Sequence, residues 1–242
     1  MQYPEQIKTL NIDYLFSLKN TPISQKSFSD VLDITIDNQS FIVKRYYKPG
    51  KKLWLRLFAK RSKSHSEHNN LLFFAKHGIY TPEIVGLFRK QQRSCLVTKK
   101  LPNVYNLAEH FNIHNSKNNI NNYNLDILIR FTKILRQLHD LKFVHRDYKL
   151  RNVLLSEDHK LYLIDCPNGI SFNFGKFSFI FNFLYKKLAL RDLVIAYKDL
   201  RKVINPRQLI YLYKIYYNLN KLDSQHKKHI KYLINHANRP RL

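Results

Sequence analysis

Two short apolar runs, at Val153–Leu155 and Leu161–Ile164, constrain the fold more than any other feature of the chain. The polar residues Ser-Glu-Asp-His-Lys separate them, and this pattern predicts a tight β-hairpin. Asn152 directly precedes the first run and Asp165 directly follows the second, so a hairpin would bring both side chains to one edge. Asp147 lies five residues before Asn152 and is expected at the same edge. We therefore expect one polar site that contains these three side chains.

The side chains of this site suit phosphoryl transfer. That reaction needs acidic and amide oxygens to hold a divalent metal, a cation on the phosphates, and a carboxylate directed at the attacking hydroxyl. Upstream, Lys44 lies within the strand-like run Phe41–Tyr46, and Glu67 follows 23 positions later in a helical stretch. In kinases, such a lysine holds the nucleotide phosphates and such a glutamate pairs with it. The sequence therefore contains both parts of a kinase site in the expected order.

The N-terminal part of the chain predicts a small antiparallel sheet. Residues 30–47 contain two runs rich in β-branched and aromatic residues, joined by Asp37–Ser40, and this indicates a hairpin. A preceding strand is expected around Ile12–Lys19, and another strand at Ser94–Thr98. These strands would complete the sheet.

The C-terminal part predicts mainly helices. His114–Asn124 is dense in Asn and Ser and is expected to form a polar loop. Apolar residues then recur at helical spacing from Leu125, which predicts a long helix that ends near His139. Two further helices are expected at Lys187–Ile204 and Pro206–Leu219.

Together these elements predict an α+β fold with two lobes. Lys60–His77 predicts a helix that packs on the N-terminal sheet and ends at Gly78. We assign residues 1–100 to a β-rich, nucleotide-binding N-lobe with this one helix. Residues 101–242 form a mainly helical C-lobe with the catalytic loop and the metal site, and the hinge is expected near Thr98–Pro102.

Residues 144–155, Val-His-Arg-Asp-Tyr-Lys-Leu-Arg-Asn-Val-Leu-Leu, resemble the catalytic loop of protein kinases, and Leu161–Asp165 resembles their metal-binding strand. More narrowly, the chain is similar to the bacterial lipopolysaccharide core kinases, which phosphorylate Kdo or heptose. The resemblance implies a two-lobed protein-kinase-like fold and extends over roughly residues 30–200. The other segments that carry it are Phe41–Tyr46, Ser66–Leu71, Gly78–Pro82, Leu96–Thr98 and Leu188–Leu193.

The resemblance implies a role for each residue of the site. Asp147 would accept the proton of a sugar hydroxyl, and Lys149 would neutralise the γ-phosphate of ATP. Asn152 and Asp165 would hold Mg²⁺, with Mn²⁺ as the alternative metal. Asp192 would be a buried carboxylate that supports the catalytic loop through hydrogen bonds.

Three departures from protein kinases bear on the acceptor. Asp165-Cys166-Pro167 replaces Asp-Phe-Gly, so the phenylalanine switch of regulated protein kinases has no counterpart. The phosphate-covering loop, expected near Ser24–Ser29, contains no glycine. No Ala-Pro-Glu element follows Asp165, and little room remains for a peptide-binding segment before Arg191-Asp192-Leu193. A small or glycan acceptor is therefore favoured over a protein.

The formal net charge of +25 bears on partners and location. Such an excess attracts polyanions, among them anionic membrane surfaces and phosphorylated glycolipids. With the resemblance, it implies a lipopolysaccharide core or lipid A precursor as acceptor, at the cytoplasmic face of the bacterial inner membrane. No secretion signal is recognisable at Met1–Glu5, and the two cysteines suit a reducing cytosol. We expect a peripheral, monomeric protein.

Two other interpretations remain open from the sequence. A kinase of the RIO or aminoglycoside-kinase type would share the catalytic loop but phosphorylate a protein or a small molecule. A pseudokinase or basic nucleic-acid-binding module would explain the charge and the glycine-free loop, and would show steeply salt-dependent binding. The filled catalytic positions make nucleic acid the less favoured partner.

Overall fold

The computed structural model of the protein describes residues 11–47, 62–91, 93–113, 120–172 and 178–238. The chain divides into two compact units, an N-terminal unit at Met1–Pro102 and a C-terminal unit at Asn103–Leu242. The N-terminal unit contains the sheet, and the C-terminal unit contains most of the helices. The protein thus has the mixed α+β architecture that the sequence predicts.

A five-stranded antiparallel sheet forms the N-terminal unit, with strand order β1-β2-β3-β5-β4. Its strands are β1 (Ser24–Lys26), β2 (Ser29–Ile36), β3 (Gln39–Tyr46), β4 (Ile84–Lys90) and β5 (Arg93–Lys99).

The predicted hairpin at residues 30–47 is confirmed as β2 and β3. Asp37 and Asn38 form its turn with positive φ of 49° and 59°, a conformation that suits a two-residue hairpin loop with right-handed strand twist. The strand predicted at Ser94–Thr98 is confirmed as β5.

The strand predicted around Ile12–Lys19 is wrong, because Ile12–Ser17 forms a short helix, α1. The side chain of Asn11 caps this helix by accepting a hydrogen bond from the Tyr14 amide at 2.9 Å. Leu15 is fully buried in the apolar core beside β2 and β3. Ile12 and Leu15 are three residues apart, so a helix places both on its buried face.

The helix predicted at Lys60–His77 is confirmed as α2 at Lys63–Lys76, while residues 60 and 61 lie outside the described ranges. Ser62 caps its first turn, and Gly78 follows its end with φ of +71°. Glycine adopts this left-handed conformation without steric cost, so the chain turns there and the helix ends.

The C-terminal unit contains short strands and five helices among the residues that the structure describes. The strands are β6 (Val104–Asn106), β7 (Phe143–Val144), β8 (Val153–Ser156), β9 (Leu161–Leu163) and β10 (Ile170–Ser171). The helices are α3 (Leu107–Ile113), α4 (Asn122–Asp140), α5 (Ser178–Leu200), α6 (Pro206–Tyr217) and α7 (Ser224–Asn238).

The loop predicted at His114–Asn124 extends too far, because α4 already begins at Asn122; residues 114–119 lie outside the described ranges. Asn121 caps α4 by accepting from the Asn124 amide at 2.8 Å, so asparagine here starts a helix instead of prolonging a loop. The predicted helix that ends near His139 is otherwise confirmed, and Leu128, Phe131 and Leu135 lie on its buried face.

The hairpin at Val153–Leu155 and Leu161–Ile164 is confirmed as β8 paired with β9. The helix predicted at Lys187–Ile204 has the wrong bounds, because α5 begins at Ser178 and ends at Leu200. The helix predicted at Pro206–Leu219 is α6, which ends at Tyr217. Among the helices that the structure describes, none is long and apolar enough to cross a membrane.

Candidate active site

Alternation along β3 sends neighbouring side chains to opposite faces of the sheet. Lys44 points towards α2, where its Nζ lies 3.0 Å from Oε1 of Glu67. Glu67 is 4% exposed, so water screens this ion pair weakly. The structure thus brings together the two residues that the sequence predicts for the nucleotide phosphates.

Tyr46 supports the Lys44–Glu67 pair, a role that the sequence analysis missed. Its hydroxyl donates to the second carboxylate oxygen, Oε2, of Glu67, and Nζ of Lys44 lies 5.8 Å from its ring centre. Both carboxylate oxygens of the buried Glu67 therefore have a partner, which fixes the rotamer of this side chain. Because Tyr46 is two residues after Lys44, strand alternation alone places it on the same face.

Arg45 occupies the opposite face of β3 and ties the sheet to α1. Its Nε and Nη2 donate to the two carboxylate oxygens of Asp30 at 2.8 and 2.6 Å, a bidentate pair. Its Nη1 donates to the carbonyls of Leu15 and Leu18 at 3.3 and 3.0 Å. Burial opposes ionisation of Asp30, but hydrogen bonds from Arg45 and Tyr47 outweigh it and lower the pKa of this carboxyl. This buried pair holds β2, β3 and α1 together.

The segment predicted as a phosphate-covering loop, Ser24–Ser29, forms β1, a tight turn and the start of β2. Lys26 pairs with Ser29 across this turn, and Phe28 in the turn is 42% exposed. The segment is therefore a hairpin turn without glycine. The segment has backbone amides and a serine hydroxyl, which are groups that bind phosphate. Its role in covering the phosphates of a nucleotide stays a prediction.

Asp147 is the partly exposed carboxylate of the catalytic loop. One of its carboxylate oxygens contacts Nζ of Lys149, and the side-chain amide of Asn152 donates to the same oxygen at 3.3 Å. That amide also donates to the main-chain carbonyl of Asp147 at 2.9 Å. The side chain of Asp147 is 35% exposed, so its carboxylate is positioned by neighbours yet can be reached by a substrate.

The β8–β9 hairpin places Asp165 beside Asn152. Val153 pairs with Leu163 in the hairpin, and the amide of Ile164 donates to the carbonyl of Asn152 at 3.0 Å. Asp165 is the next residue and has a left-handed φ of 56°, a conformation that non-glycine residues adopt mainly where the surroundings enforce it. The three residues predicted from the hairpin pattern therefore lie at one edge.

Asp192 holds the start of the catalytic loop through its backbone. The carboxylate is fully buried on α5 and accepts the amides of His145 and Arg146, each at 2.7 Å. Arg146 has a positive φ of 67°, and the paired acceptor oxygens hold its amide in this uncommon conformation. The hydrogen bonds predicted for Asp192 are thus present in the structure.

Asp199 is a second acidic support of the loop, and the sequence analysis missed it. It lies later on α5 and accepts the Leu150 amide at 3.1 Å. Tyr148, between the two acidic anchors, is fully buried and donates its hydroxyl to the Phe131 carbonyl at 2.7 Å. The catalytic loop is therefore fixed on both sides of Asp147.

His145 is buried beneath the loop. Burial lowers the pKa of its imidazole, while the nearby carboxylates of Asp192, Asp147 and Asp165 oppose the shift. The ring is therefore neutral at neutral pH. Cys166 is also buried, and its Sγ lies 3.8 Å from the carbonyl of His145, so it packs there as a small apolar residue.

A chain of polar contacts extends from α6 to Asp192. Nδ1 of His139 lies 2.5 Å from the Tyr216 hydroxyl, and Nε2 of His139 lies 3.4 Å from Asp192 Oδ2. A carboxylate only accepts hydrogen bonds, so a neutral His139 carries its proton on Nε2 and Nδ1 accepts from Tyr216. Burial raises the pKa of the Tyr216 hydroxyl well above its usual range, which keeps it protonated.

The sequence matches a model of the lipopolysaccharide kinase (Kdo/WaaP) family over residues 28–170, more than half of the chain. The chain belongs to this family. It is therefore a kinase, and its matched region contains Lys44, Glu67 and the catalytic loop up to Asp165.

Among solved structures, the lipopolysaccharide kinase is similar to one described as WaaP in complex with acyl carrier protein. The TM-score is 0.66 at 14% sequence identity, and the similarity covers 93% of this chain and 90% of that chain. The kinase-like fold of this chain is thereby shown. No curated protein sequence matches the chain.

The oxygen atoms of the site suit a hard divalent cation. In Asn152 the amide nitrogen donates to Asp147, which leaves the carbonyl oxygen as the ligand atom. Asp165 adds a carboxylate, and Mg²⁺ prefers one or two such oxygens completed by water and substrate phosphates. The described residues contain no group of three or more His, Cys, Asp or Glu that could hold a metal by themselves. The donor set therefore fits a metal that is shared with a nucleotide.

Proposed function

We propose that this lipopolysaccharide kinase transfers the γ-phosphate of ATP to a hydroxyl of an inner-core sugar, Kdo or heptose. The observation that carries the proposal is the contact between the side chains of Asn152 and Asp147, because it sets a carboxylate at the edge of the β8–β9 hairpin where Asp165 also lies. Family membership supplies the class of acceptor.

In this proposal Asp147 is the base that accepts the proton of the sugar hydroxyl. Its partial exposure leaves room for the hydroxyl, and the bond from Asn152 holds the carboxylate in one orientation. Lys149, whose side chain is 14% exposed, supplies a cation beside this carboxylate. When the γ-phosphate is near, this cation neutralises charge that develops on its oxygens.

Lys44 binds the α- and β-phosphates of ATP, and Glu67 keeps its ammonium group in place. The support from Tyr46 favours this assignment, since a carboxylate held at both oxygens presents a fixed partner to Lys44. Asn152 and Asp165 would hold Mg²⁺ or Mn²⁺. The metal, when bound, neutralises phosphate charge and aligns the transferred group.

The acceptor is a glycolipid and not a peptide in this proposal. The chain between Asp165 and Asp192 contains no Ala-Pro-Glu element. Its described residues form one short strand, β10, which pairs with the earlier β7. The net charge of +25 favours a phosphorylated, anionic acceptor and a place at the cytoplasmic face of the inner membrane. We propose that the kinase works there as a peripheral monomer.

The test is a comparison of lipopolysaccharide from cells that lack the gene and carry wild-type or Asp147→Ala protein. Mass spectrometry of the core oligosaccharide should show one phosphate fewer in the deletion and in the Asp147→Ala strain. Fragment masses assign this phosphate to Kdo or to heptose. An unchanged phosphate content in both strains contradicts the proposal.

A second assay distinguishes an inner-core sugar from the other possible acceptors. Purified protein is mixed with ATP, Mg²⁺ and either core oligosaccharide, an aminoglycoside or a protein substrate, and ADP release is measured. We expect stimulation by the core oligosaccharide alone. Stimulation by the aminoglycoside or the protein would favour the other kinase types, and salt-sensitive RNA binding without ADP release would favour a pseudokinase.

A further inference from the structure

The first turns of α5 expose large apolar side chains. Phe183 is 69% exposed and Leu184 is 41% exposed. Single exposed apolar residues are common on protein surfaces, but two adjacent large ones on a helix form an apolar patch, which is typical of a binding surface.

Helix geometry shows that this patch lies away from the core. Tyr185, Ala189 and Asp192 are buried and lie on the core side of α5, spaced by four and three residues. Phe183 is about 160° away from Tyr185 around the helix axis, at about 100° per residue. The apolar character of Phe183 therefore adds nothing to the core of the C-terminal unit.

Three basic side chains surround the apolar pair. Lys186 and Lys187 follow Phe183 by three and four residues, so they are its neighbours on the helix surface. Arg191 follows Leu184 by seven residues and lies on the same side two turns later. All three are exposed. We call these five residues, Phe183, Leu184, Lys186, Lys187 and Arg191, the α5 patch.

The opposite, buried face of the same helical turns packs against the start of the catalytic loop. Tyr185 and Ala189 pack against Val144, the residue before His145. The Tyr185 hydroxyl donates to the His139 carbonyl, and Nζ of Lys142 lies 4.7 Å from the Tyr185 ring centre. Lys142 is exposed as well and adds another positive charge at this end of the unit.

We propose that the α5 patch docks the kinase on an anionic lipid surface. Aromatic and aliphatic side chains enter the boundary between headgroups and acyl chains, while lysine and arginine next to them contact lipid phosphates. The patch has this composition, and its charge complements an anionic leaflet. The inference rests on the proposed function, because a lipid-linked acceptor reaches Asp147 most readily when the catalytic loop is held near the membrane.

An acidic protein is the other occupant that the charges would admit. Protein–protein interfaces are depleted in lysine relative to the rest of the protein surface. Two of the three basic residues of the α5 patch are lysines, and their long stems let the charge reach the lipid phosphates. The lipid surface is therefore the occupant that we test.

The experiment measures sedimentation of the full chain with vesicles, without ATP or acceptor. Vesicles of phosphatidylcholine are compared with vesicles that also contain phosphatidylglycerol. The wild type should bind the anionic vesicles, and Lys186→Glu/Lys187→Glu should weaken binding by roughly tenfold or more. The matched control is Lys227→Glu/Lys228→Glu, an adjacent exposed lysine pair on α7 with the same change in charge.

The apolar contribution is tested by Phe183→Ser, with Tyr105→Ser as its control, because Tyr105 is 54% exposed on β6 outside the patch. We expect Phe183→Ser to weaken binding to the anionic vesicles and Tyr105→Ser to leave it unchanged. All variants should keep the circular dichroism of the wild type and its turnover of soluble core oligosaccharide.

Equal losses in the patch pair and the control pair would mean that net charge alone governs binding, and would overturn the inference. A wild type that ignores anionic vesicles but binds an acidic protein through the patch would also overturn it. Absence of phosphoryl transfer would contradict the proposed function only, since vesicle binding is measured without turnover.

Discussion

At the scale of single residues, Asp147 has two neighbours with different tasks. Asn152 donates an amide hydrogen to its carboxylate and fixes its orientation, and Lys149 places a positive charge against the same oxygen. In the proposed reaction, this oriented carboxylate accepts the proton of the sugar hydroxyl. The site therefore depends on the charge of Asp147 more than on its size.

We predict that Asp147→Asn lowers kcat by about 10²–10⁴-fold, because general base catalysis is worth this much. The KM for ATP and the thermal stability should change little, since the side chain is partly exposed. Steady-state kinetics with core oligosaccharide measure the effect. Asp158→Asn is the control, because Asp158 is an exposed carboxylate in the β8–β9 turn that pairs with Lys160. Turnover of Asp147→Asn at the wild-type rate would refute the assignment.

Tyr216 acts on the same loop through other residues. Its hydroxyl donates to His139, which contacts Asp192, so Tyr216→Phe removes one donor from a buried chain without leaving a cavity. We expect a loss of about 1 kcal/mol in the free energy of unfolding. A fall of a few fold in kcat with an unchanged KM for ATP should accompany it.

The matched control is Tyr217→Phe, which alters the next residue of α6. Tyr217 packs its ring against Tyr213 and His226, and these ring contacts survive the loss of the hydroxyl. If both variants lose kcat equally, Tyr216 has only a general packing effect and does not position the catalytic loop.

At the scale of elements, α5 is the support of the catalytic loop. Asp192 accepts hydrogen bonds from two backbone amides at the beginning of the loop, and Asp199 accepts one from an amide at the end of the loop. Because residues on one rigid helix keep their spacing, the helix sets the distance between the two anchored points of the loop. The position of the backbone on both sides of Asp147 is thus set by α5.

We predict that Asp192→Asn lowers the free energy of unfolding by about 2–3 kcal/mol, because an amide group cannot accept hydrogen bonds at both positions and one buried amide loses its partner. The kcat should fall at least tenfold as Arg146 leaves its held conformation. Asp199→Asn should cost less, since Asp199 accepts one loop amide and its side chain is 21% exposed. Urea unfolding and kinetics of both variants check the order, and a reversed order would contradict the account.

Elements with a regular sequence period were predictable, and contacts between distant residues were predictable only where the likeness to kinases supplied them. The hairpins at residues 30–47 and 153–164 follow from alternating or short apolar runs. The short α1 depends on Arg45, which binds carbonyls about thirty residues earlier in the chain, so local pattern alone suggested a strand. Asp199 likewise reaches Leu150 from 49 residues away, and no local signal marks it.

At the scale of the whole molecule, the buried His145 and the half-buried His229 link stability to pH. Burial lowers the pKa of His145 and of His229 below the usual 6.5. Below this value the unfolded chain binds protons that the folded chain excludes, so the free energy of unfolding falls as pH falls. Asp30 has a lowered pKa, so its contribution to the free energy of unfolding is lost only below about pH 3.8, the usual pKa of an aspartate.

We predict that the free energy of unfolding falls between about pH 7 and pH 5, measured by urea unfolding at fixed ionic strength. His229→Gln should reduce the slope, because glutamine takes up no proton in this range. Its hydrogen-bond partner is the Tyr213 hydroxyl, 2.9 Å from Nδ1 of His229, and glutamine can keep that contact. Stability that is flat over this pH range in the wild type would contradict the prediction.

The packing of Cys166 has a consequence for pharmacology. In protein kinases, the packing of the Asp-Phe-Gly phenylalanine sets the active or inactive state, so compounds that fill the space it leaves would trap the inactive enzyme. Here the corresponding side chain is the small thiol of Cys166, held against the His145 carbonyl inside the C-terminal unit. Such compounds have nothing to displace in this kinase, so we expect useful inhibitors to compete directly with ATP or with the sugar.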